Sequence, residues 1–154
     1  MSKCLELLEP GIYVLLVKLN RDFTDKIGSL GLVKLNRGLY LYIGSAKRGL
    51  LSRLKRYCLR DIKNIHWHID YLVKYGEVLG AYIILGKDIT ESYIANIFSK
   101  ILKPAINRFG ATDTKDITHL FNYHEEKLKY LMDKLGFTYI NCDEILQCMN
   151  FLAK

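Results

Sequence analysis

The stretch that most constrains this chain is residues 39–57, LYLYIGSAKRGLLSRLKRY, an apolar strand that runs through a glycine into a basic helix. Tyr40, Leu41, Tyr42 and Ile43 are the aromatic and aliphatic residues that fit a pleated, half-buried surface. Gly44 is expected to end the strand and Ser45 to open the turn. Beyond it Leu50, Leu51, Leu54 and Leu59 fall near a helical period, with Arg53, Arg56 and Arg60 on an adjacent stripe. A strand that delivers tyrosine hydroxyls beside a row of arginines suits phosphate chemistry.

A second apolar run, 11–19, opens with Gly11, Ile12 and Tyr13 and reads as the first strand. Residues 20–38 read as a polar connection, with strand character at 32–35 and a turn at Asn36, Arg37 and Gly38. If it returns the chain as a hairpin, the two runs are antiparallel neighbours and Tyr13 lies near Tyr42. A helix within 64–76, a strand over 78–85 and a helix over 91–102 stopped by Pro104 follow. Residues 105–119 read as a polar loop, and a helix over 125–135, a short strand and a last helix from Asp143 close the chain. The expected architecture is one α/β domain over 1–154: a small central antiparallel sheet of about three strands flanked by helices. Its core is expected at about 10–123, with a helix-strand-helix extension over 124–154.

Charge is concentrated. The net charge is +7, and residues 47–63 carry +6 of it through Lys47, Arg48, Arg53, Lys55, Arg56, Arg60 and Lys63 against Asp61. A localised basic patch predicts a polyanionic partner, nucleic acid first. The four cysteines show no CxxC spacing and are expected to be reduced and without a role. With no apolar leader and no membrane-length apolar run, a cytoplasmic protein is expected.

The ordered pair of triplets, Gly11-Ile12-Tyr13 and Tyr42-Ile43-Gly44, followed by Arg53 and Tyr57, resembles the GIY-YIG nuclease family. The runs at 39–56, 66–72 (HWHIDYL), 91–95 (ESYIA) and 109–121 (FGATDTKDITHLF) resemble its little-characterised archaeal and bacterial group, some of whose members are fused to endonuclease III. That resemblance spans about 10–123. It implies a GIY-YIG-like fold and a metal-dependent endonuclease acting on DNA, with RNA a further possible substrate. By motif, Tyr13, Tyr42, Arg53, Tyr57 and Glu91 form the catalytic set, in which Tyr13 or Tyr42 activates water, Arg53 holds phosphate and Glu91 holds Mg²⁺ or Mn²⁺. Tyr57 stands where the family more often has histidine. Thr114, with Asp116 or Ile117, stands where the group usually carries two cysteines, so no thiol or zinc role carries over.

The chemistry of these residue types agrees with that assignment. An arginine fork grips two phosphate oxygens, a hard divalent cation takes an oxygen ligand, and a tyrosine serves as base only if its pKa is lowered. The nucleic-acid-binding residues are expected to be Lys47, Arg48, Lys55, Arg56, Arg60 and Lys63. His66, His68 and Asp70 spell HxHxD, which resembles the metallo-β-lactamase-type motif, but Tyr71 stands where that motif needs a further histidine. Their expected role, like that of Asp113 and His119, is accessory. The alternative reading is a non-catalytic nucleic-acid-binding module on the same fold.

Overall fold

The computed structural model describes residues 2–153. Its elements run α1 (Ser2–Glu6), β1 (Gly11–Leu19), β2 (Phe23–Lys26), β3 (Leu32–Leu35), β4 (Gly38–Ala46), α2 (Leu50–Cys58), α3 (His68–Tyr75) and β5 (Glu77–Leu85). There follow α4 (Glu91–Ser99), β6 (Leu120–Asn122), α5 (Glu125–Leu135), β7 (Thr138–Asn141) and α6 (Cys142–Leu152). The fold is α/β, with a five-stranded antiparallel sheet in the order β6-β4-β1-β5-β7.

β1 is central and buried along almost its whole length, as a strand covered on both faces must be. On one face, Leu15 and Tyr42 pack with Leu54, Leu72 and Ile145, drawn from α2, α3 and α6. On the other, Val14 and Ile43 pack with Ile94, Phe98 and Leu131 from α4 and α5. The alternation of side chains along β1 and β4 divides their apolar residues between these two layers.

The sheet is wider than the expected three strands. β6 pairs with Tyr40, Leu41 and Tyr42 of β4, and β7 pairs with Gly80, Ala81, Tyr82 and Ile83 of β5. β6 is too short to carry a periodic signal of its own, and non-local pairing decides it; β7 is the expected short strand of the 124–154 extension, joined to the edge of the central sheet. The 20–38 connection also differs from a simple hairpin. β2 and β3 pair only with each other, as a separate two-stranded sheet, and leave β1 and β4 as antiparallel neighbours. Nor does Gly44 end its strand: β4 continues through Ser45 to Ala46, because both stay in register with Ile12 and Gly11.

The cysteines are not reduced. Cys4 is bonded to Cys148 and Cys58 to Cys142, fastening α6 to α1 and to the end of α2. Separations of 144 and 84 residues give no local spacing to read. The pairing removes the support that unpaired thiols gave to a cytoplasmic setting. Among the described residues, no helix is long and apolar enough to cross a membrane.

Candidate active site

One end of the sheet opens into a cleft of about 590 Å³. Tyr13 enters it from β1, Tyr42 from β4, Arg53 and Tyr57 from α2, and Glu91 from the start of α4. Register explains the tyrosines. Tyr13 stands opposite Gly44, and Leu15 stands opposite Tyr42, so the two phenols lie diagonally on the same sheet face. A side chain at Gly44 would collide with the Tyr13 phenol, so the glycine is what admits that ring. Arg53 and Tyr57 are four apart on α2 and therefore share its cleft-facing side.

The tyrosines are packed together. Tyr13 Oη lies 3.2 Å from Tyr57 Oη, and Tyr42 rests edge-on to Phe109 with ring centroids 6.0 Å apart. Burial pushes the Tyr13 phenol well above its ordinary value, and the neighbouring Tyr57 and Tyr42 add to the shift. Burial does the same to Tyr42, with Tyr57 and Glu91 adding to it. Burial also raises Tyr57, against the lowering by its Tyr13 hydrogen bond and by Arg53. All three phenols are therefore neutral at ordinary pH, the opposite of the lowered pKa a tyrosine base requires. Arg53 is too weak a counter to the burial.

Glu91 is the first residue of α4, whose Thr90 cap accepts a 3.1 Å hydrogen bond from the Tyr93 amide. The positive end of that helix favours a carboxylate there. Ser45 Oγ donates to Glu91 Oε1. On the other side, His119 Nδ1 stands 3.4 Å from Glu91 Oε2 but makes no hydrogen bond. His119 Nε2 is 2.8 Å from Asp116 Oδ2, which Ser92 Oγ also reaches at 2.6 Å. His119 is buried, so an Asp116–His119 pair stands directly behind Glu91. Burial would raise Asp116, but its Ser92 and His119 hydrogen bonds outweigh that and hold it below the ordinary carboxylate range.

Of the expected nucleic-acid contacts, Lys47 and Arg48 form an exposed lip of the cleft. Lys55 and Lys63 are exposed but do not line it. Arg56 and Arg60 are engaged within the fold. The Arg56 fork donates to both oxygens of Asp70 at 2.7 and 3.0 Å, and Arg60 donates to the carbonyls of Val73 and Lys74. A helical charge stripe does not reveal partners more than ten residues away.

The HxHxD residues disperse. His66 is exposed, and its amide donates to buried Asp70. His68 Nδ1 accepts from the Gly110 amide at 2.8 Å, fastening the 105–119 loop, and burial lowers its pKa. Burial would raise Asp70, but Arg56 and the His66 and Trp67 amides hold it down. Among the described residues, no group of three or more His, Cys, Asp or Glu side chains could hold a metal ion. Asp113 is exposed at the cleft edge beside Thr114.

Three participants escape the sequence reading: Ser45, Asp116 and Trp67. Trp67 lines the cleft and is the only tryptophan in the chain, the one signal that could have drawn notice to it.

Neither a curated protein nor a solved structure matches the chain. The family model described as domain of unknown function DUF123 matches residues 12–137, which takes in every residue named above as lining or backing the cleft, and the chain belongs to that family.

Proposed function

We propose that the protein is a GIY-YIG-type endonuclease that hydrolyses DNA phosphodiester bonds with a divalent cation. The observation that carries this reading is the convergence of Tyr13, Tyr42, Arg53, Tyr57 and Glu91, from four elements, on one cleft with a cationic lip. Hydrolysis adds water to phosphorus while the bond to the leaving oxygen breaks, so one proton leaves the water and one reaches the leaving oxygen. Arg53 is the group that grips the phosphate oxygens and offsets charge as it develops on them. Lys47 and Arg48 at the lip hold the flanking backbone.

Tyr13 Oη and Tyr57 Oη form a hydrogen-bonded pair in which each hydroxyl can accept one proton while giving up another. Such a pair orients the attacking water and relays its proton to the leaving oxygen, each phenol gaining one proton as it gives up another, so that neither becomes charged. Glu91 fits as the single protein ligand of Mg²⁺ or Mn²⁺, cations that keep most of their waters and take one or two carboxylates plus substrate phosphate. Held there, the ion would supply charge neutralisation at the phosphate. Ser45 holds the Glu91 carboxylate by a hydrogen bond, and His119 backs it from the other side at 3.4 Å.

A second reading, a nucleic-acid-binding module without turnover, draws on the raised pKa values of both motif tyrosines, which leave no ready base. One experiment separates the two. Labelled duplex, flap, junction and single-stranded DNA are incubated with Mg²⁺, Mn²⁺ or EDTA, beside Glu91→Ala and Arg53→Ala. Metal-dependent products lost in both variants support the hydrolase. Salt-sensitive binding with no product on any substrate supports the module.

A further inference from the structure

Trp67 is 39 % exposed and belongs to neither of the two hydrophobic cores. An indole outside the core yet held in place calls for an explanation, and its mounting is rigid. It caps α3 in extended backbone, its amide donates to Asp70 Oδ2 at 3.1 Å, and Asp70 is itself locked by the Arg56 fork. The Arg53 guanidinium carbon lies 4.2 Å from the indole ring centre, and that of Arg56 lies 5.2 Å away. Arg53 is the residue assigned to phosphate, so the indole stands beside that phosphate, within reach of an adjoining nucleotide.

From this geometry we infer that Trp67 is a stacking platform for one unpaired nucleobase flanking the phosphate bound at Arg53. The inference rests on the cleft being a DNA site and names the class of DNA it takes: single strands, flaps or junctions with an unstacked base at that position. Aromatic stacking is indifferent to base identity because every base has a π-face, so the platform selects structure rather than sequence. A base within an intact duplex has both faces covered by its neighbours and cannot use it. Arg53 stacked on the indole holds the platform and the phosphate grip in fixed relation.

Since Trp67 is the sole tryptophan, its fluorescence reports the contact directly. The protein is titrated in EDTA with a single-stranded oligonucleotide, a flap and a blunt duplex of equal length. Saturable quenching by the first two and little by the duplex is expected. In anisotropy titrations with labelled DNA, Trp67→Ala should bind single strands and flaps about 5- to 100-fold more weakly, and duplex more weakly by a clearly smaller factor, through the loss of the indole beside Arg53. Trp67→Phe should stay within about threefold of the parent on every substrate, since a phenyl face also stacks. Equal quenching by duplex, an Ala variant whose binding changes by the same factor (or not at all) on all three DNAs, or a Phe variant no better than Ala overturns the inference. A thermal midpoint for each variant shows that it is folded. Neither metal nor turnover enters these titrations. Quenching without cleavage therefore removes only the hydrolytic reading, and cleavage without selective quenching removes only the platform.

Discussion

Gly44 of β4 stands directly across from Tyr13 of β1, and the Tyr13 phenol fills the space a side chain at 44 would take. Tyr13 reaches Tyr57 only because that space is free. Gly44→Ala should therefore push the phenol out of its hydrogen bond and strain the pairing of β1 with β4. Overpacking of this kind costs about 1–3 kcal/mol. Urea unfolding would read the loss of stability, and cleavage should fall further than it does in Tyr57→Phe, which keeps the ring in place.

His119 and Asp116 stand behind Glu91 without entering the cleft lining. Groups that orient a ligand from behind typically change metal affinity or activity by about 10–100-fold when removed. His119→Ala and Asp116→Asn should each raise the Mn²⁺ concentration needed for half-maximal cleavage. A purely structural histidine would lower the melting point and leave that concentration where it was.

The Arg56–Asp70 pair is the anchor of α3, with Asp70 fully buried and held below the ordinary carboxylate range. A depressed folded-state pKa contributes stability that is present above the unfolded value, near 3.8, and is lost as pH falls through the folded one. Stability of the parent should thus drop with acid below about pH 4. Asp70→Asn should be weaker at neutral pH by about 3–5 kcal/mol, because it leaves Arg56 without its counter-charge, and should show a shallower acid limb. Urea midpoints from pH 7 down to pH 2 would compare the two.

The lip and the helix stripe should behave differently in salt. Each phosphate contact removed lowers the slope of log affinity against log salt by about 1. Lys47→Ala and Arg48→Ala should each lower it by that amount. Arg60→Ala, whose guanidinium serves two backbone carbonyls, should leave the slope unchanged while reducing thermal stability.

Much of the frame was legible because it is local. β1 and α5 keep the bounds their apolar periods and flanking glycines predict, and Tyr13 and Tyr42 share a face as antiparallel neighbours require. What could not be read is set by partners distant in sequence. β6 is three residues long and exists through its pairing with Tyr40, Leu41 and Tyr42. Arg56 looked like a free cation because Asp70 lies on the next helix. His119 fell in an expected loop and is buried where its amide donates to the Phe109 carbonyl and its carbonyl accepts from the Ile43 amide of β4. The motif tyrosines stand out in the sequence, but their raised pKa values follow from packing that no spacing displays.

The two disulfides make the chain a ring with a cross-bar. Cys4 and Cys148 join the ends, and Cys58 and Cys142 bridge across, one residue beyond Tyr57. A single backbone cut anywhere between residues 4 and 148 leaves the oxidised molecule in one covalent piece. The oxidised unfolded chain is also a smaller ensemble than the reduced one; in the chain-entropy model the outer closure alone is worth about 5 kcal/mol. The helix that carries Arg53 and Tyr57 hangs from the cross-bar, so a thiol reductant releases the end of that helix without touching a residue in the cleft.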